Sequence, residues 1–241
     1  MIKPVYTVLI LKVVVVHCCT IILLQFNSSH LFDHIVYTMS ANRVVLMTGA
    51  TGSIGQSIAN GLASYPSTTL ILALRNIDKG NQVKQQVIQA TNNSDIHIEQ
   101  VELDSSSSIK QLCDRIQSKY GVLNVLMNNA AATAPNNKQY TKDHIELQFG
   151  VNVYAYYLLS ELLVPVLKKG AQTQYGARIV NVASHYAGEL DINDIEFNQR
   201  AYSESSAYKQ SKQADRMMTW QLAEKYKPYN INCYSCHPGM C

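Results

Sequence analysis

Three glycines, Gly49, Gly52 and Gly55, constrain this chain more than any other feature. They follow the apolar run Val44-Val45-Leu46-Met47, and Ile54, Ile58 and Leu62 then recur at helical intervals. A run apolar at successive positions is the pattern of a strand buried on both faces. The stretch therefore predicts a strand, a tight turn and a helix. Glycine lets a backbone come close to a pyrophosphate, and the free N–H groups of the first helical turn receive its negative charge. Glycines also cluster in ordinary turns, so the spacing gains its meaning from the strand and helix on either side.

A chain of 241 residues is long enough for one large α/β domain with its own core. The formal net charge is only +3, and no basic run or basic-aromatic interleaving suggests a nucleic-acid partner. Cys18 and Cys19 lie in the apolar leader, Cys113 stands alone, and Cys233, Cys236 and Cys241 crowd the end. This is no disulfide framework, and the folded part reads as one from a reducing compartment.

Residues 1–38 read as a hydrophobic leader and connector, and residues 39–241 as the folded domain. Pro4–Phe26 is almost continuously apolar, with Lys12, His17 and Thr20 as interruptions. Its length suits a bilayer span. Lys12 would cost about 2.5–3.5 kcal/mol near the centre, offset by many Val, Leu and Ile residues returning about 0.3–0.6 kcal/mol each. A signal anchor is the favoured reading of residues 4–26, over a cleaved signal peptide or an upstream extension. As an anchor it implies an endoplasmic reticulum membrane protein with a cytosolic domain. A natural start at Met39, just before the first strand, would instead make the protein cytoplasmic.

From Arg43 the patterns alternate. Strands are expected at Val44–Met47, Thr69–Leu74, Ile96–Leu103, Val122–Met127, Ala177–Ala183 and Ile231–Ser235. Helices are expected after Gly52 and at Asp78–Ala90, Ile109–Tyr120, Asp143–Lys169 and Ser205–Tyr226, with Pro165 kinking or ending the long one. Ser105–Ser108 would cap the helix that follows. Strands separated by helices imply a parallel sheet with right-handed crossovers.

Tyr208 and Lys212 are one helical turn apart, so both project from one face. A phenol titrates near pH 10, and a nearby ammonium favours its phenolate. On its own the pair would suit any solvated helix. It gains meaning from the order in which the glycine turn, Asn128-Asn129-Ala130, Asn152, Ser184, Tyr208 and Lys212 follow one another.

From Arg43 to Gly239 the sequence resembles the short-chain dehydrogenase/reductase family. Thr48-Gly49-Ala50-Thr51-Gly52-Ser53-Ile54-Gly55 is similar to its cofactor turn, with Ser53 where compact members usually carry glycine. Gly52 matches the spacing of the extended, sugar-nucleotide-modifying branch. Asn128-Asn129-Ala130-Ala131 resembles Asn-Asn-Ala-Gly, Val151-Asn152-Val153 the asparagine helix, and Val182-Ala183-Ser184 the serine strand. His237-Pro238-Gly239 resembles the Pro-Gly turn beside the nicotinamide. Arg75-Asn76 with Lys79-Gly80, and Gly188-Glu189-Leu190-Asp191-Ile192 before a long insert, look most like the retinol-dehydrogenase-like branch.

The resemblance implies a single-domain α/β fold, a Rossmann-type doubly wound parallel sheet. Members continue past the Pro-Gly turn with a substrate loop, a helix and a seventh strand, which also supply much of the dimer contact. The chain therefore reads as C-terminally incomplete in this respect, either a piece of a longer protein or a short chain with an open site. A homo-oligomer would have to form without that contact.

The implied activity is hydride exchange between a nicotinamide and an alcohol or carbonyl, lipid-like by analogy with the branch. Tyr208 would transfer the proton, Lys212 would lower its pKa and hold the ribose, Ser184 would bind the substrate oxygen, and Asn152 would hold a water. Ser184 could instead cap a strand end, and Asn152 could satisfy a helix kink.

The implied cofactor contacts are Thr48, Gly49, Thr51, Gly52, Ser53, Ile54, Gly55, Arg75, Asp104, Asn129, Ala130, Tyr208, Lys212, Pro238 and Gly239. Asp104 reads equally as a helix cap. The second strand ends in Ala73-Leu74-Arg75 without the acid that commonly bonds a ribose 2′-hydroxyl, which selects NADP(H).

Cys233-Tyr234-Ser235-Cys236-His237 spells a haem-attachment pattern. It falls on the expected last strand, where neighbouring side chains face opposite sides, so no haem or metal is expected. Two other readings remain open: a nucleotide-binding protein without turnover, and an extended-branch epimerase or dehydratase resting on Gly52 alone.

Overall fold

The computed structural model describes residues 42–133 and 137–239. The apolar run 4–26, Met39 and Cys241 lie outside them.

Six strands form the sheet among the described residues: β1 (Arg43–Thr48), β2 (Thr68–Leu74), β3 (Ile96–Gln100), β4 (Val125–Asn128), β5 (Ala177–Val182) and β6 (Ile231–Cys236). Their order is β3-β2-β1-β4-β5-β6, and every pairing is parallel. The helices are α1 (Ser53–Ala63), α2 (Ile77–Thr91), α3 (Ser106–Lys119), α4 (Leu147–Leu162), α5 (Val164–Ala171) and α6 (Glu204–Tyr226).

Alternation along β1 divides the core between two layers. Val44 and Leu46 pack with α3, α4, α5 and the end of α6, whereas Val45 and Met47 pack with α1 and α2. β1 is the central strand, so both its faces are apolar, as the sequence pattern requires. The chain order reverses between β1 and β4, and the loops beyond their C-terminal ends diverge there. That crevice is where a parallel α/β sheet receives ligands.

Several boundaries differ from the sequence expectation, each for a local reason. β3 stops at Gln100 rather than Leu103. The Val101 N–H donates to the carbonyl of Leu74, the last residue of β2 (3.0 Å), and beyond it the neighbouring strand has ended. β4 begins at Val125 rather than Val122, because Leu123 N–H donates to Val166 (3.0 Å). The buried Asn124 side chain meanwhile accepts from the Val44 N–H (3.0 Å) and donates to the Gly176 carbonyl (2.9 Å). Ser105 caps α3, as expected, by accepting from Ser108 N–H (3.3 Å).

The long helical region expected over Asp143–Lys169 is interrupted near Pro165, as expected, and is two helices meeting at 61°. Asp143 stays outside them and accepts from the N–H and hydroxyl of Ser106, both at 2.7 Å. α4 begins at Leu147 and contains a π turn at Gly150–Tyr154. The break falls at Leu163, and Pro165 sits in the first turn of α5, where its missing N–H goes unmissed.

Candidate functional site

The glycine turn crosses the crevice at the end of β1. Gly49 has φ +72°, and a Cβ there would come within 2.6 Å of the Ala130 backbone. A Cβ on Gly55 would lie 2.0 Å from the Gly49 carbonyl oxygen, which fixes how closely α1 approaches the turn. Gly52 differs: it faces open space, with nothing within 4 Å of a built Cβ. Gly52 begins α1 without a side-chain cap, and no acidic residue stands in the first turn. The positive end of an eleven-residue helix is thereby aimed at the crevice.

A cleft of ≈ 690 Å³ opens over this turn. Its walls include Gly49, Thr51, Gly52, Ser53, Ile54, Gly55, Arg75, Asp104, Asn129 and Ala130. Thr48 stands behind the wall rather than in it. Its buried hydroxyl accepts from the N–H groups of Asn129 (3.0 Å) and Ala130 (3.1 Å). Asn129 returns its side-chain amide to the carbonyls of Thr48 (3.1 Å) and Gly49 (3.0 Å). These bonds stitch the β1 turn to the β4 turn. Asp104 lines the cleft while Ser105 takes the cap, which separates the two roles left open for it.

A second cavity of ≈ 230 Å³ adjoins the first, sharing Ile54, Asn129 and Ala131 with it. Ser184 comes to it from just beyond β5, Tyr208 and Lys212 from α6, and Pro238 and Gly239 from the turn after β6. The Ser184 hydroxyl accepts from Tyr186 N–H (3.1 Å). Residues far apart in sequence thus meet in one small space.

Lys212 is 2% exposed, and its ammonium donates to the Val182 carbonyl (2.6 Å). It lies 3.9 Å from Asp215 Oδ2 and 5.4 Å from the ring centre of buried Tyr156. Burial pushes the Lys212 pKa down, while the Asp215 charge opposes the fall. Burial likewise pushes the Asp215 carboxyl up, to about 7.

Asn152 is absent from the walls of both cavities. It sits in the π turn, accepts from Ala132 N–H (2.8 Å) and donates to the Ala132 carbonyl (3.2 Å) and the Ser211 hydroxyl (3.0 Å). Its amide joins α4 to the β4 turn and to α6. Asp215 and Tyr156 were not expected in this neighbourhood. Asp215 carried a readable signal, an opposite charge one turn from Lys212; Tyr156 carried none. Cys233 and Cys236 pack on opposite faces of the sheet, so their thiols point apart.

The sequence model of short chain dehydrogenases matches residues 43–241. Mouse retinol dehydrogenase 12 is 32% identical over 201 residues, covering 82% of this chain and 61% of the relative. Human polyprenol dehydrogenase is 35% identical over 190 residues, covering 78% and 56%. The chain thus spans about 60% of the length of the curated relatives it matches. A solved NADPH-bound carbonyl reductase from chicken fatty liver is 28% identical, with a TM-score of 0.63, covering 83% of this chain and 80% of that one. The sheet order, the glycine turn at its switch point and these matches agree: the chain belongs to the short-chain dehydrogenase family, in its retinol-dehydrogenase-like branch.

Proposed function

We propose that this protein is an NADP(H)-dependent oxidoreductase of alcohols and carbonyls, with lipid-like substrates of the retinoid or polyprenol kind. The observation that carries the reading is the meeting of Ser184, Tyr208 and Lys212 with Pro238 and Gly239 in one cavity adjoining the glycine-turn cleft. The residues present fit a dinucleotide. The open space over Gly52 and the uncapped end of α1 suit its phosphates. The second cavity would take the nicotinamide, which supplies or accepts the hydride when bound.

The chain's own residues would do the rest. The Ser184 hydroxyl would hydrogen-bond the substrate oxygen and fix its carbon at transfer distance. The Tyr208 hydroxyl would give a proton to that oxygen in reduction and take it back in oxidation. Lys212, which lines the same cavity, would bind the ribose. Asn152 would act from behind, holding the β4 turn against α6.

Arg75 supports the preference for the phosphorylated cofactor. It lies in the cleft wall immediately after β2, and Asp104 is the one acid among the described residues there. A 2′-phosphate would meet a guanidinium rather than a carboxylate. Calorimetric titration is expected to give tighter binding of NADPH than NADH. Arg75→Ala should weaken NADPH about tenfold to a hundredfold, the value of a charged hydrogen bond, and leave NADH nearly unchanged. Equal affinities for both nucleotides in the wild type would refute the assignment.

Residues 4–26 complete the proposal as an anchor on the endoplasmic reticulum membrane, with the α/β domain in the cytosol. Flotation with lipid vesicles should carry the full chain upward and leave a chain starting at Met39 behind. Identical behaviour of the two would exclude the anchor.

A further inference from the structure

α6 buries a patch that its composition would leave in water. Ser211, Lys212, Asp215 and Thr219 are all buried, and they face the underside of the site. Most of this patch is bonded: Ser211 to Asn152, and Thr219 to Asn181 (2.9 Å) and the Asp215 carbonyl (2.7 Å). The Asp215 carboxylate is different. It is 0% exposed, and neither oxygen has a hydrogen-bond partner among the described residues. A buried acid without donors is costly unless a charge answers it.

The charge that answers it is Lys212, at 3.9 Å on the same helix. The other titratable groups around the pair are few. Tyr156 faces it from α4, but its hydroxyl is directed to the Ala130 carbonyl (2.8 Å). Cys236 approaches from β6, and Tyr208 from one turn earlier on α6. Among these, Asp215 is the one carboxyl group, and its anion is the negative charge that can answer the Lys212 ammonium.

We propose that Asp215 is a positioning residue of the site, the buried counter-charge that keeps the Lys212 ammonium protonated and seated at the floor of the catalytic cavity. The proposal rests on Lys212 being a site residue. The physical reason is a competition of two effects. Desolvation of a lysine 2% exposed favours the neutral amine, and a carboxylate within 4 Å restores the cation. The Val182 carbonyl sets where the ammonium sits, but as a neutral acceptor it answers the charge only in part. With Asp215 ionised, Lys212 can be both buried and charged.

The test follows Lys212 directly, in the full chain labelled with 13C at lysine Cε. Its resonance is identified by its loss in Lys212→Met. Asp215→Asn is expected to lower the midpoint of the Lys212 titration by about one pH unit or more. The alkaline limb of NADPH affinity should move down by the same amount, whereas a merely structural role would weaken binding equally at every pH. An unchanged or raised Lys212 midpoint would overturn the proposal. Should Asp215→Asn fail to fold by circular dichroism, Lys212→Met probes the pair from the other side. The Asp215 carboxyl resonance must then titrate at higher pH than in the wild type, and an unmoved midpoint would refute the pairing. Failure of the underlying site reading looks different: the wild type would bind no NADPH at any pH, whatever the two midpoints do.

Discussion

Gly55→Ala should cost this protein about 3 kcal/mol or more of stability, the upper end for forced overpacking, and so much of the total holding a domain together. The added Cβ would sit 2.0 Å from the Gly49 carbonyl oxygen and 2.9 Å from the Ala50 Cα. Both neighbours are backbone, so neither can swing aside as a side-chain tip would. Urea denaturation followed by circular dichroism reads the effect. Gly52→Ala is the matched control, three residues away. Gly52 has φ −83° and ψ 162°, which any residue adopts, and its Cβ would meet nothing. Its stability should change by less than about 0.5 kcal/mol. NADPH affinity in Gly52→Ala should nevertheless fall tenfold or more, about 1.4 kcal/mol, since a methyl would stand where a phosphate approaches the helix end. Wild-type affinity in that variant would mean that the phosphates do not sit on this turn.

Tyr208→Phe should remove turnover by about a hundredfold to ten-thousandfold, the usual worth of a positioned acid–base group. NADPH affinity should stay within about twofold of wild type, because the change deletes one hydroxyl from a half-buried side chain and leaves the glycine turn untouched. Steady-state kinetics and calorimetry on the same preparation separate the two effects. Retention of more than about a tenth of the activity would transfer the proton role to another group. Loss of binding and turnover together would mean that Tyr208 holds the cavity's shape rather than its chemistry.

The parts of this architecture legible in the sequence are those where one residue type has one physical use. Val44–Met47 reads as a doubly buried strand, and Gly49, Gly52 and Gly55 gain their meaning from the strand before them and the helix after. Ser105 announced the cap of α3. The π turn in α4 was not legible, because an extra residue in a helix leaves the apolar pattern on either side intact. For Asn152 the sequence offered two uses, holding a water at the site or satisfying a helix kink, and its amide ties α4 to Ala132 and Ser211. The burial of α6 was hidden for a different reason. Ser211, Lys212, Asp215 and Thr219 are residue types that a helix commonly leaves in water, and the chain Asn128 to Asn181 to Thr219, each bond 2.9 Å, shows what turns this face inward. Polar side chains bury where partners from β4 and β5 await them, and those partners are distant in sequence.

Hydride transfer is proposed for the cavity that holds Ser184, Tyr208 and Lys212. The most direct measurement supplies NADPH deuterated at the transferring position together with a lipid-like aldehyde such as retinal. Mass spectrometry then follows the alcohol formed. One deuterium on the carbinol carbon is expected for each NADPH consumed, with labelled alcohol formed at least about a hundredfold more slowly in Tyr208→Phe. NADPH that binds tightly while no aldehyde acquires the label would contradict the proposal, and would make this chain a nucleotide-binding protein without turnover.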